Sequence, residues 1–264
     1  MLDALLDLVL PQACAGCGGP VAWCRACADV LAEAAARPLG RVRPDPVPVR
    51  YPQAAAAAAV YEGAVRGALL AHKERGRLGL VQPLGVALAA AVRCLDPPPG
   101  VVLVPVPSTR AAVRARGHDH ALRLARTAAR SVPGARVAPL LSAVRRLGDQ
   151  SGLDAAGRAA NLAGAYCAAA TCAVVVVVVD DVVTTGASIA EAVRALTAAG
   201  AQVHGAATVA ATRRTWQHRQ SLGAVQPSVR GLPSVYSSSA PKETAWTSSL
   251  KVATSRSRST SGSM

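Results

Sequence analysis

The fold is decided by V-V-V-V-V-V-D-D-V-V-T-T-G-A-S, residues 174–188. Six consecutive β-branched residues read as a strand buried on both faces, the pattern of a parallel sheet covered by helices. The strand delivers Asp180 and Asp181 to its carboxyl end, where open α/β sheets bind ligands. Adjacent strand residues point to opposite faces, so the two acids are expected to divide their work. A turn through Thr184, Thr185, Gly186, Ala187 and Ser188 then enters a helix. Unpaired N–H groups at that helix start, with three hydroxyls, suit a phosphate dianion. Gly186 lets the backbone approach the ligand closely. Carboxylates beside such a cradle suit a sugar phosphate, because they accept hydrogen bonds from sugar hydroxyls.

The flanking sequence alternates in the same way. Strands are predicted over 54–61, 101–104, 136–140 and 202–211, and helices over 28–36, 63–74, 78–95, 119–130, 153–161 and 188–199. Alternation of this kind gives an α/β fold, a parallel sheet flanked by helices with right-handed crossovers. Residues 37–52 carry five prolines and read as a linker or extended crossing. The organisation expected is a helix plus four-cysteine knuckle over 1–36, the α/β domain over 53–214 and a basic, Ser-rich, disordered tail over 215–264.

Composition sets limits. Of 264 residues, 51% are hydrophobic but only 3% aromatic, with no Phe, so Ala, Val and Leu must fill the core. That content excludes a mainly disordered or collagen-like chain. The mean hydropathy of +0.28 calls for a membrane test. The uncharged run 159–179 contains Asn, Thr, Gly and small Ala, and its most apolar part is the six valines, so a buried strand is preferred to a span. The first residues form a short amphipathic pattern interrupted by Asp3 and Asp7, not the basic start of a signal peptide; a cytoplasmic location is expected. Half of the +14 net charge falls in residues 213–264. A basic balance suggests phosphorylated ligands or nucleic acid.

Cys14, Cys17, Cys24 and Cys27 form C-x2-C-x6-C-x2-C. Two such pairs can offer four thiolates to one tetrahedral Zn2+, with Gly16, Gly18 and Gly19 easing the turns. A redox pair or an iron–sulfur site are the alternatives. Four thiolates leave no open position, so the metal would be structural. Cys94, Cys167 and Cys172 read as core residues.

The segment around Asp180 and Asp181 resembles the phosphoribosyl-pyrophosphate (PRPP) motif of type I phosphoribosyltransferases. Other segments, in order, resemble the ComF/GntX-type family, competence protein F-like, over roughly residues 1–214. They are the cysteine knuckle, Lys73 in A-H-K-E-R-G-R, V-P-V-P at 104–107, R-x-x-x-R-x-R-G at 110–117, Q-S-G-L at 150–153 and R-A-A-N-L-A-G-A-Y at 158–166. After R-x-R-G that family has an aromatic, Asn and Gln, where this chain has His118, Asp119 and His120.

The resemblance implies that Asp180 and Asp181 contact ribose hydroxyls and that Thr184, Thr185, Gly186, Ala187 and Ser188 hold the 5′-phosphate. It implies Mg2+ bound with PRPP, and displacement of pyrophosphate from C1 by a nitrogen nucleophile. Arg110, Arg114 and Arg116 offer donors suited to phosphate oxygens, or form a solvated basic face. Lys73 could neutralise pyrophosphate or simply be solvated. Arg158 and Asn161 share a helix face and form a hood over the site or cap local structure. His118 and His120 act on pyrophosphate, bind metal, or are partly exposed helix-start residues. The sequence shows no Ser–His–Asp or Cys–His set, as a positioning mechanism allows. Rival readings are a non-catalytic competence or DNA-uptake protein that binds single-stranded DNA, and a nucleotide sensor without turnover.

Overall fold

A strand of consecutive valines must be covered on both faces and paired on both edges, and it occupies the middle of the sheet. The computed structural model describes residues 13–42, 54–144, 162–170 and 174–213. Its elements are α1 (Arg25–Ala36), β1 (Gly40–Val42), β2 (Ala55–Val60), α2 (Gly63–Glu74), α3 (Val81–Arg93) after a 3-10 turn Leu78–Leu80, β3 (Val102–Pro105), α4 (Arg110–Arg116), α5 (His120–Ala129), β4 (Arg136–Val137), β5 (Leu141–Ala143), β6 (Tyr166–Ala168), β7 (Val175–Val183), α6 (Ala187–Ala198) and β8 (Gln202–Ala211). The predicted helix at 153–161, the terminal segment 1–12, Cys172 and the tail 215–264 lie outside the described residues.

Six strands form one sheet in the order β1-β2-β8-β7-β3-β4. Only β1 runs antiparallel to its neighbour; the other pairings are parallel. The fold is therefore α/β, with a mostly parallel sheet and helices on both faces. Val177 and Val179 face a core built with α1, α2, α3 and α5. Val176 and Val178 face a second core built with α6 and the β5–β6 pair. All four are fully buried, each contributing roughly 1.5–3 kcal/mol.

The alanines of β2 form the expected strand despite their helix propensity, because burial on both faces overrides it. Ala56 and Ala58 face one core, Ala55 and Ala57 the other. The proline-rich crossing contains strand β1, and the predicted strand 136–140 is cut to two residues before β5 begins. The arginine-rich segment forms the short helix α4. Thr109 caps it by accepting from the Ala112 N–H at 3.2 Å, and Gly117 ends it with φ 74°. Among the described residues no helix is long and apolar enough to cross a membrane.

Helix α2 carries an unusual core residue. His72 is 1% exposed, and among the described residues neither ring nitrogen has a hydrogen-bond partner. Its ring lies 5.5 Å from that of His118. Burial, with His118 next, lowers its pKa to about 4. The unfolded chain therefore holds a proton on this ring between about pH 6.5 and 4 that the folded chain does not. Stability is full above the unfolded value and falls as the pH drops toward 4, by about 2–3 kcal/mol. Urea unfolding should show the parent less stable at pH 5 than at pH 7, with much of that loss gone in His72→Leu. An equal loss in both proteins would assign it to other groups.

Candidate functional site

The chain leaves β3 toward β4 on one side and leaves β7 toward β8 on the other, so the order reverses between β3 and β7. Ligands of open α/β sheets sit at the carboxyl ends of the strands flanking such a reversal. Here β3 stops at Pro105, paired with Val179, while β7 continues to Val183. The acids are thus inside the strand rather than beyond it, on an edge that β3 has vacated. A pocket of about 530 Å³ opens there, with Asp180, Asp181, Lys73, Ser108, His120 and Tyr166 in its wall.

Asp181 is buried and fully engaged. Its Oδ1 accepts from the Val182 N–H at 2.8 Å. Its Oδ2 accepts from Lys73 Nζ at 2.9 Å and lies 3.4 Å from His120 Nε2. Burial alone would raise its pKa, but His120 and Lys73 outweigh burial and hold it well below the carboxylate range. Asp180 is half-buried and accepts the Asp181 N–H at 2.8 Å. Burial, with the Asp181 charge next, pushes it well above the ordinary value. Lys73 loses from burial but gains more from both acids, so its ammonium is stabilised. The two carboxyls titrate as a pair, with Asp181 the easier to ionise and Asp180 the harder.

The expected split across the two sheet faces is only partial. Carboxylate oxygens of both acids and a nitrogen of His120 lie within 4.8 Å of one another. Strand alternation fails at this end: Val182 packs with the core of Val179, and Val183 with the opposite core.

Beyond the acids, Gly186 turns the chain with φ 78° and starts α6. Thr185 Oγ1 accepts from the Ala187 N–H at 3.4 Å. Residues 182–188 and Leu162 enclose a recess of about 40 Å³ that shares Asp180, Thr184 and Ser188 with the larger pocket. Tyr166 closes the pocket beside Asp180 and Ser188, its hydroxyl pushed up to about 12 by burial and then by the Asp180 charge. It is placed by α6: its N–H donates to Glu191 Oε1 at 3.3 Å, and Arg194 Nη2 donates to its carbonyl at 3.1 Å.

The other basic residues divide. Arg116 lines the pocket and pairs with Glu74 at 3.1 Å. Arg110 and Arg114 are exposed on α4 and absent from the pocket wall. Arg158 and Asn161 lie outside the described residues. His118 and His120 are buried rather than partly exposed. The ring nitrogens of His118 lie 3.0 Å from the Arg116 carbonyl oxygen and 3.1 Å from that of His72. His120 Nδ1 lies 3.3 Å from Ser108 Oγ, so a Ser–His–Asp set is present after all. Its members come from the β3–α4 connection, α5 and β7, and no local spacing could reveal them. Tyr166 was legible only as the end of a longer motif.

Residues 174–225 match the family model for the phosphoribosyl transferase domain. No curated protein matches the chain. The match covers about a fifth of the chain, yet it contains β7, the acid pair, the 184–188 turn, α6 and β8. It supports phosphoribosyl transfer as the general chemistry of the site.

The second cluster is at the knuckle. Sulfurs of Cys14, Cys17, Cys24 and Cys27 lie within 4.8 Å of one another, with Cys17 and Cys24 at 3.6 Å. Zn–S bonds of about 2.3 Å in a tetrahedron separate sulfurs by roughly 3.8 Å, so the donor set fits zinc. Packing is tight, since a Cβ on Gly16 would stand 2.6 Å from Cys27 Sγ. Burial opposes ionisation of Cys14, but N–H donors of Cys24, Cys17 and Gly16 outweigh it and lower the thiol to about 6. Arg77 donates to the carbonyls of Ala22 and Ala13 at 3.0 and 3.1 Å, tying the knuckle to the end of α2. Purified protein should carry about one zinc per chain, and Cys24→Ser should lose it and loosen residues up to about 30. Iron with a visible absorption band, or no metal in a reduced preparation, would contradict this.

Proposed function

We propose that this chain is a phosphoribosyltransferase of the ComF/GntX type that binds Mg2+-PRPP and transfers its phosphoribosyl group to a nitrogenous acceptor. The observation that carries the reading is the acid pair near the carboxyl end of β7, where β3 has stopped, with Asp180 lining both the large pocket and the small recess at the start of α6. The 5′-phosphate would enter that recess, against Thr184, Thr185, Gly186, Ala187 and Ser188. Ribose hydroxyls would donate to Asp180 and Asp181. Lys73 and Arg116 would neutralise the diphosphate, with Arg158 a further candidate. The assignment to the ComF type rests on the order of motifs from the cysteine knuckle to R-x-R-G, and on a four-cysteine donor set that fits zinc.

Mg2+ is held by one or two carboxylates plus ligand phosphates. Asp180 would supply such a carboxylate, Asp181 being engaged by Lys73 and His120, and the metal would neutralise charge on the departing diphosphate. Burial and the Asp181 charge make ionisation of Asp180 harder, and a cation bound there would make it easier. The chain's own residues mainly position: they fix the sugar, exclude water and leave C1 open to the acceptor.

Asp180→Asn keeps the shape and removes the charge. Hydrogen bonds to charged groups are worth roughly 1.5–3 kcal/mol, so calorimetry should show Mg2+-PRPP binding weakened by about 10- to 100-fold. The melting temperature should hold or rise, because one of two neighbouring carboxylates is gone. Parent-like binding by the variant, or no binding of any 5′-phosphorylated ribose by the parent, would overturn the reading.

A further inference from the structure

We propose that Tyr166 contacts the bound sugar phosphate, and that Glu191 and Arg194 on α6 are positioning residues that hold it in place. The ligand is the one given by the phosphoribosyl reading, on which the contact rests; the clamp itself rests on geometry.

The segment from Leu162 to Tyr166 spans two compartments. Leu162 helps to enclose the recess at the start of α6, and Tyr166 stands in the wall of the large pocket. The two compartments share Asp180, Thr184 and Ser188. A ligand with its phosphate in the recess and its sugar in the pocket must pass this boundary. Tyr166 therefore stands beside the link between phosphate and sugar. A phenol keeps its proton at neutral pH, so its hydroxyl can donate to an oxygen there.

The main sheet does not hold this residue. Among the described residues its strand, β6, pairs with β5 alone. Further support comes from α6, the helix whose start forms the recess. Glu191 and Arg194 are three residues apart and share a face of that helix. The guanidinium grips the carboxylate at both oxygens: Arg194 Nε donates to Glu191 Oε2 at 2.7 Å, and Nη2 donates to Oε1 at 2.8 Å. The pair then meets both backbone polar groups of one residue. Tyr166 N–H donates to Glu191 Oε1 at 3.3 Å, and Arg194 Nη2 donates to the Tyr166 carbonyl at 3.1 Å. The peptide groups on either side of Tyr166 are thereby fixed to α6, and its side chain is packed, since the residue is 4% exposed.

Glu191 is 6% exposed, and a carboxylate at that depth is costly unless it is paired and hydrogen-bonded. An apolar residue there would cover the β5–β6 pair without that cost. What the polar pair adds is direction: hydrogen bonds fix orientation, whereas apolar contact does not. Neither Glu191 nor Arg194 is among the described residues that line the pocket or the recess. They act on the ligand through Tyr166.

Calorimetric titration of the full chain with ribose 5-phosphate tests the contact. Tyr166→Phe should weaken binding about tenfold, the loss of one hydrogen bond to the ligand. Arg194→Met should weaken it by about three- to tenfold. The two changes together should cost little more than Tyr166→Phe alone, because Arg194 acts through the tyrosine. Parent-like binding by Tyr166→Phe would overturn the contact, and losses that multiply would overturn the positioning role. If Arg194→Met fails to fold, Glu191→Gln with Arg194→Met leaves no unpaired buried charge and loses the same links. Amide exchange in the free protein reads the clamp without ligand. The Tyr166 N–H should exchange at least about tenfold faster in Arg194→Met, with Val209 and Ala210 of β8 as in the parent. An unchanged Tyr166 rate, or one raised equally in β8, would overturn the clamp. Failure of the parent to bind ribose 5-phosphate would sink the phosphoribosyl reading and the contact with it, and exchange would still decide the clamp.

Discussion

The structure turns on the double burial of β7. Six valines in sequence have no polar side to show to water, so a strand of them needs neighbours on both edges and helices on both faces. That need places β7 between β3 and β8, with one helical core under Val177 and Val179 and another under Val176 and Val178. The site follows from a mismatch in length. Where β3 ends at Pro105, the last residues of β7 keep their pairing to β8 alone, and the vacated edge becomes a pocket wall. Two acids are tolerated on such an edge because solvent and the pocket reach one of them.

The other acid is held from the opposite layer. Lys73 on α2 reaches Asp181 across a sequence separation of 108 residues, and the knuckle fixes the far side of α2. A Cβ on Gly67 would lie 2.2 Å from the Ala15 carbonyl oxygen, so the knuckle and α2 are in close contact. Metal at the cysteines would therefore stabilise the helix that presents the lysine. A zinc there would be linked to the site through this chain of packing rather than through an open coordination position.

Much of this was legible in the sequence, for identifiable reasons. The strand of valines, the helix at Gly63–Glu74 and the strand at Gln202–Ala211 carry strong periodic or compositional signals, and each is found as expected. The 184–188 turn was legible because a glycine and hydroxyls follow the acids directly. Short elements were not: β1, β5 and β6 are three residues each and take their shape from pairing partners that a local pattern does not contain. Helix α4 was hidden because its seven residues bury none of their number. The Ser108–His120–Asp181 contact is a product of the crossover topology. Arg110 and Arg114 point to the complementary lesson, since basic residues beside a motif need not share its pocket.

The central claim is that the start of α6, beside the acids, receives the phosphate of a ribose 5-phosphate compound. Backbone amide spectra recorded during titration with ribose 5-phosphate and, separately, with ribose test it directly. The account predicts saturable shifts of the Gly186, Ala187 and Ser188 amides with ribose 5-phosphate, and little change there with ribose. Shifts that were equal for the two sugars, or that fell on residues away from this turn, would contradict it.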